Sequence, residues 1–142
     1  MNHLKSNWQL DHIGIAVPIL QPAIEMYAQR GDIQVTLREQ LESQGVELAF
    51  LDTGTAKVEL LAPLHSSSTL ARFLEKRGPG LHHICYSVTD IEAELAKLAS
   101  HGCSLIDKAP RPGAAGTRIA FLHPSSFAGV LTELCQHPAG KR

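Results

Sequence analysis

Two histidines and two glutamates recur in this chain at nearly one spacing. His12 precedes Glu59 by 47 residues, and His83 precedes Glu133 by 50. The histidines sit in matching phrases, Leu10-Asp11-His12-Ile13-Gly14-Ile15-Ala16-Val17 and Leu81-His82-His83-Ile84-Cys85-Tyr86-Ser87-Val88. The glutamates sit in apolar, strand-like runs, Val58-Glu59-Leu60-Leu61 and Leu131-Thr132-Glu133-Leu134. A carboxylate at the centre of such a strand is costly to bury unless a cation meets it. Taken singly, each glutamate reads as solvent-facing and each histidine as a surface or hydrogen-bonded residue. Taken together, one His and one Glu per repeat supply the ligands of a divalent-metal site: His12, Glu59, His83 and Glu133. Two imidazoles with two carboxylates suit Co²⁺, Mn²⁺, Ni²⁺, Zn²⁺ or Fe²⁺. Four protein ligands leave two octahedral positions for a ligand with two adjacent oxygens, and the metal would then stabilise an enolate as a Lewis acid.

The remaining histidines carry less. His82 alternates to the face opposite His83 and is expected to be packed or at an edge. His123, before Pro124 at a strand end, is placed at the mouth of a cleft. His3, His65, His101 and His137 fall in termini or turns and are expected to be solvated, and Asp11 is expected to be structural.

The elements that must position these residues repeat as well. Leu10–Val17 reads as a strand, Pro22–Gln29 as a helix closed by Gly31, and Gln34–Glu39 as a strand before a polar link, Gln40–Gln44. Val46–Leu51 and Lys57–Leu61 read as a hairpin across Asp52-Thr53-Gly54-Thr55. Ser66–Ser68 can cap a helix running to Arg77, and Gly78-Pro79-Gly80 ends the first half. In the second half Leu81–Val88 is a strand. Thr89-Asp90-Ile91-Glu92 is a capping box for a helix with Ile91, Leu95 and Leu98 on one face, stopped by Gly102. Ser104–Lys108 reads as a strand, Ala109–Gly116 as a mobile loop, and Thr117–Leu122 and Val130–Cys135 as the last two strands. Ala49-Phe50-Leu51 recurs 71 residues on as Ala120-Phe121-Leu122, the offset that separates His12 from His83. The unit is βαβββ, made twice, within a chain of one-domain length. The tail Lys141-Arg142 is expected to fray.

The bulk properties narrow the partners. Hydrophobic content of 44% with 19% charged residues is that of a globular chain. A net charge of −1 and a pI near 6.7 give no basic field for nucleic acid or an anionic membrane. The amino terminus has no apolar signal-like run and no stretch is long and apolar enough to span a membrane, so a cytoplasmic location is expected. Cys85, Cys103 and Cys135 form no C-x-x-C pair and are expected to be reduced thiols.

Four segments carry a resemblance. They are Asp11–Val17, Val58–Leu64, Gly80–Ile84 with Val88, Asp90 and Ile91, and Arg118–Pro124 with Gly129–Gln136. Together with Gln44-Gly45-Val46 and the Pro110–Gly116 loop, they resemble the methylmalonyl-CoA epimerase family. That family belongs to the vicinal oxygen chelate superfamily, alongside glyoxalase I and the extradiol dioxygenases. The match runs from about Leu10 to Gln136. It implies an α+β fold in which two βαβββ half-domains form a curved mixed sheet around a metal cleft. The single domain would span residues 8–137, with repeats at about 8–78 and 79–137. His12, Glu59, His83 and Glu133 fall on the family's metal-ligand positions, with Co²⁺ first among the candidate ions. The implied activity interconverts (2R)- and (2S)-methylmalonyl-CoA. A base removes the proton between thioester and carboxylate, the metal holds the enolate, and an acid reprotonates the other face. Glu133 matches a residue that serves as ligand and as acid/base, and a homodimer is the implied assembly.

The chain departs from that pattern in places. Some members carry an acid/base glutamate three residues after the Gly of Gln-Gly-Val, where this chain has Leu48. Glu47 is adjacent but alternates to the other face unless a bulge re-aims it, which leaves a water, His123 or another group as the second proton carrier. Ser125 replaces a Lys that many members have after His-Pro, and the Tyr27–Gly31 region is shortened. Arg111, Arg118, Arg72, Lys76 and Arg77 are candidate contacts for the phosphates or carboxylate of an acyl-CoA thioester. The alternatives are a glyoxalase-I-type isomerase of glutathione hemithioacetals and a non-catalytic small-molecule-binding protein of the same fold. A dioxygenase iron site uses two His and one carboxylate, so Glu59 would compete there for the position that dioxygen needs.

Overall fold

The computed structural model describes residues 7–140. Lys141 and Arg142, expected to fray, and His3, expected to be solvated, lie outside the described residues. The chain forms two compact units. One is His12–His83, and the other joins the residues up to Asp11 with those from Ile84 onward. Both contribute to an α+β fold with an eight-stranded mixed sheet.

The His12–His83 unit holds most of β1 (Gln9–Ala16), then α1 (Leu20–Gly31), β2 (Val35–Leu41), β3 (Val46–Asp52), β4 (Lys57–Pro63) and α2 (Thr69–Arg77). Its strands lie in the order β2-β3-β4-β1. β1 runs parallel to β4, with Gly14 opposite Glu59 and Ala16 opposite Leu61. β3 and β4 form the expected hairpin, paired without interruption from Val46↔Pro63 to Asp52↔Lys57. The turn closes as Asp52 Oδ1 accepts the Gly54 amide at 2.7 Å, with Gly54 at φ 93°. Strand alternation sends Ala49, Leu51, Leu60 and Ala62 to one face, where Leu20, Ala23, Ile24 and Tyr27 of α1 cover them. Each fully buried leucine there contributes about 1.5–3 kcal/mol. The opposite face keeps Leu48, Phe50 and Glu59.

The other unit supplies β5 (Gly80–Ser87) from Ile84 onward, then α3 (Ile91–Ser100), β6 (Arg111–Pro112), β7 (Arg118–Leu122) and β8 (Thr132–Gln136), in the strand order β5-β8-β7-β6. β5 and β8 are parallel, with Cys85 opposite Glu133, and β7 sets Phe121 opposite the same glutamate. Ile91, Leu95 and Leu98, the expected helix face, pack on Ala120, Leu122 and Leu134.

Local chemistry moves several boundaries. α1 is stopped by Asp32 in the left-handed conformation (φ 53°), not by Gly31, which is its last residue. β2 extends through Leu41 into the expected polar link, whose remainder, Glu42–Gln44, is a 3-10 turn. Ser68 caps α2 as expected, its hydroxyl accepting the Ala71 amide at 3.2 Å. The cap of α3 shifts by one residue, from Thr89 to Asp90, whose carboxylate accepts the Ala93 amide at 3.1 Å. Ser104–Lys108 is not a strand. Only Leu105 bridges to Leu122, while the Ile106 and Asp107 amides both converge on the Phe121 carbonyl. The edge strand is instead β6, inside the expected mobile loop, and Ala114–Gly116 adds a 3-10 turn.

Candidate metal centre

β1 and β4 are parallel and in register, so His12 and Glu59 emerge from one face of neighbouring strands. His12, Glu59 and His83 are buried, and their ligand atoms close a triangle. His12 Nε2 and His83 Nε2 each lie 3.2 Å from Glu59 Oε1, and 3.3 Å from one another. Two ligands about 2.1 Å from an ion and at right angles to each other stand about 3 Å apart, so the triangle has the size of one face of a coordination sphere. Hydrogen bonding alone fits less well. With a proton on each Nε2, two N–H groups would confront each other across the 3.3 Å edge.

His82 offers a partner to the other nitrogen of His83. The two Nδ1 atoms are 2.9 Å apart. With the His83 Nδ1 proton donated to His82 Nδ1, His83 Nε2 keeps its lone pair for an ion, the outer-shell arrangement common at metal-bound histidines. His82 is itself seated edge-on against Phe73 of α2, ring centroids 4.8 Å apart. The expectation that His82 is packed holds, but its role as the residue orienting His83 was not anticipated. Gly14 is a second such residue. A Cβ added there would stand 2.2 Å from His83 Cε1, so only glycine admits the imidazole. On the other side, Phe50 meets the His12 ring edge-on at 5.1 Å.

The electrostatics are those of a cation site. Burial by itself would raise the Glu59 carboxyl, yet the hydrogen bonds and charge of His12 and His83 hold it below its ordinary value. The carboxylate therefore stays ionised.

Glu133, the fourth expected ligand, belongs to the other unit, where it is buried at the centre of β8. Its register repeats that of Glu59. Each glutamate faces a phenylalanine of the adjoining antiparallel strand, Phe50 or Phe121. Each also pairs with the residue two places after a histidine, Gly14 after His12 and Cys85 after His83.

Among the other candidates, His123 is exposed and its Nδ1 accepts the Ser125 amide at 3.0 Å. It thus caps the turn Pro124–Ser126, and any proton exchanged by this ring must pass through Nε2. Glu47 lies opposite Ala62, on the α1-covered face, and β3 contains no bulge to turn it back. Arg118 is engaged by Glu92 through two bonds of 3.1 and 2.8 Å. Arg111 lies 3.2 Å from Asp107 and over the Phe121 ring. Arg72 donates to the Ser67 carbonyl, and Arg77 lies over Phe73. His65 and His101 are exposed, as expected.

His137 departs from expectation. It is not solvated but forms a 2.6 Å ion pair with Asp11, which gives Asp11 its structural task. The pair holds His137 up at about 9, Asp11 being the main cause. Cys135 lies 3.7 Å from His137 Nε2 and, with Cys85 and Asp11, forms a group whose ligand atoms all lie within 4.8 Å. A hydrogen bond from Cys85, and then one from His137, brings the Cys135 thiol down to about 7, whereas burial drives Cys85 well above its usual value. All three cysteines are free thiols.

The family model for the glyoxalase/bleomycin resistance protein/dioxygenase superfamily matches residues 11–121. The chain belongs to this superfamily. Within it, the chain is 41% identical over 128 residues to YqjC, an uncharacterised protein of Bacillus subtilis, covering 90% of this chain and 91% of that one. It is 39% identical over 130 residues to the ethylmalonyl-CoA/methylmalonyl-CoA epimerase of Cereibacter sphaeroides, covering 90% and 97%. A solved methylmalonyl-CoA epimerase in complex with methylmalonyl-CoA and NH4+ superposes with a TM-score of 0.89 at 37% identity, covering 94% of this chain and 97% of the other. The resemblance read from the sequence therefore stands, and the fold is that of the superfamily. No helix among the described residues is long and apolar enough to cross a membrane.

Proposed function

We propose that this protein is a divalent-metal-dependent epimerase that interconverts (2R)- and (2S)-methylmalonyl-CoA. The observation that carries the reading is the buried triangle of His12 Nε2, His83 Nε2 and Glu59 Oε1, with edges of 3.2–3.3 Å. The likeness to epimerases of this substrate class supports it. In this reading Glu133 is the fourth ligand, its register match to Glu59 being the support, and Co²⁺ comes first among Co²⁺, Mn²⁺, Ni²⁺, Zn²⁺ and Fe²⁺.

A bound ion supplies Lewis acidity toward the thioester and carboxylate oxygens, so that negative charge developing on them is stabilised. The protein does the rest. His82 and Gly14 fix the His83 ring, and Phe50 fixes that of His12. Glu133, besides binding the ion, takes the proton from C2, which is acidic because it lies between two carbonyl groups. Return of a proton to the opposite face gives the other epimer. His123 Nε2 and a water are the candidates for that return that the sequence offers, and Arg111 is the candidate anchor for an anionic substrate group.

The test is a choice of substrates. Protein loaded with Co²⁺ is given (2R)-methylmalonyl-CoA and, separately, the hemithioacetal of methylglyoxal and glutathione. Formation of the (2S) epimer without turnover of the hemithioacetal is the expected result. Turnover of the hemithioacetal alone would move the protein to the glyoxalase-I class, and binding of either compound without turnover would make it a non-catalytic binding protein.

A further inference from the structure

We infer that Glu39 is the second proton carrier, standing in for the carboxylate that Leu48 cannot provide; the inference rests on the epimerase reading. Inverting a C–H centre requires removal of the proton from one face and its return to the other, hence two groups on opposite sides of the carbon. Leu48 occupies the position where a carboxylate would serve, and Glu47 lies on the wrong face of β3.

The strand outside β3 provides a substitute. At its start Val35 pairs with Leu51 and packs in the cluster beneath α1. The register then slips between Val35 and Leu37, so that Leu37 faces Phe50. This bulge inserts one residue and reverses the faces of everything after it. Arg38 now points to the α1 side, donating a 2.9 Å bond to Gln21. Glu39 therefore points the other way. It stands directly opposite Leu48, on the face shared by Phe50 and Glu59. Its half-buried side chain lies between the exposed Arg38 and Gln40.

With strands about 4.8 Å apart and pairs on one face about 7 Å apart along the strand, the Glu39 backbone is roughly 12 Å from that of Glu59. A malonyl-sized fragment and the glutamate side chain can fill that span. No bond other than those to hydrogen changes at this residue. As a carboxylate it takes the C2 proton of one epimer, and as a carboxylic acid it returns a proton when the reaction runs the other way.

The experiment follows α-proton exchange and epimerisation of each epimer in D₂O by NMR, using Co²⁺-loaded parent, Glu39→Gln, Glu39→Gln/Leu48→Glu and, as control, Glu47→Gln. Glu39→Gln is expected to bind Co²⁺ in the parental ratio and to slow epimerisation about 100-fold or more. It should still exchange the α-proton of the one epimer that Glu133 serves. Adding Leu48→Glu should restore epimerisation to within about tenfold of the parent, a carboxylate returning to the same face. In a parent that epimerises, the inference is overturned if Glu39→Gln epimerises within twofold of it. It is equally overturned if Glu39→Gln loses exchange of both epimers while still binding Co²⁺. A parent that exchanges neither epimer refutes the epimerase reading itself.

Discussion

The two halves agree at the ligand positions and diverge around them. Glu59 and Glu133 hold the same register, each opposite a phenylalanine. One pair further along, the first half has Leu48 opposite Glu39, and the second has Ile119 opposite Arg111. The equivalent place on the outer strand is thus acidic in one half and basic in the other, where the guanidinium lies over Phe121. Next to the first histidine, Gly14 leaves space for an imidazole, whereas the matching place holds the Cys85 thiol. The repeat accounts for the matched register of the two glutamates, but not for the carboxylate of Glu39 in one half and the guanidinium of Arg111 in the other.

Substitutions at matched positions measure how far the halves differ in their work. The largest effect is expected at the shared positions, where Glu59→Ala and Glu133→Ala should each lower epimerisation by at least about 100-fold. If one of them keeps near-parental activity, the halves are not equivalent at the ion. Next comes Gly14→Ala, whose Cβ displaces the His83 ring. It should weaken Co²⁺ binding about 10- to 100-fold in calorimetry, while Cys85→Ala, at the matching place, should stay within about threefold. Equal losses would remove the steric argument.

A subtler effect concerns the cluster of Asp11, Cys135 and His137. His137 is held at about 9, above its ordinary value, so its pair with Asp11 stabilises fully below pH 6.5 and is lost as pH rises through 9. Cys135 is brought down to about 7 and contributes with the opposite sign, its stabilisation growing above pH 7. Between pH 7 and 9 the folded cluster has in effect moved a proton from thiol to imidazole, and the two terms offset each other. Urea midpoints should therefore be nearly flat over that window in the parent and should fall with pH in Cys135→Ser. A parent as steep as the variant would show that the two groups titrate independently. The smallest effect is expected for Glu47→Ala, within about twofold of the parent in epimerisation, and a large loss there would refute the strand-face assignment.

Much of this was legible in the sequence because it rests on period and repetition. The spacing of His12, Glu59, His83 and Glu133, the Ile91–Leu95–Leu98 face and the βαβββ order all follow from alternation and helical periodicity. What escaped depends on a single inserted residue or a neighbour distant in sequence. The bulge before Leu37 has no sequence signature, so alternation counted from Val35 would place Glu39 beneath α1. Asp107 took the Phe121 amide and kept Ser104–Lys108 out of the sheet, though the segment itself reads as a strand. His137 looked like a solvated tail residue because its partner, Asp11, lies 126 residues away. The consecutive pair His82-His83 was the one available hint that one imidazole orients the other.

The proposal on which the rest depends is that Glu133 joins His12, Glu59 and His83 in holding one ion. It is tested most directly by titrating the metal-free protein with Co²⁺ and following the visible d–d absorption. Saturation is expected at one equivalent per chain, with a band that both Glu59→Ala and Glu133→Ala alter in shape and weaken in affinity. A Glu133→Ala titration that overlays the parent's in band and affinity would contradict it, leaving the ion to His12, Glu59 and His83 alone.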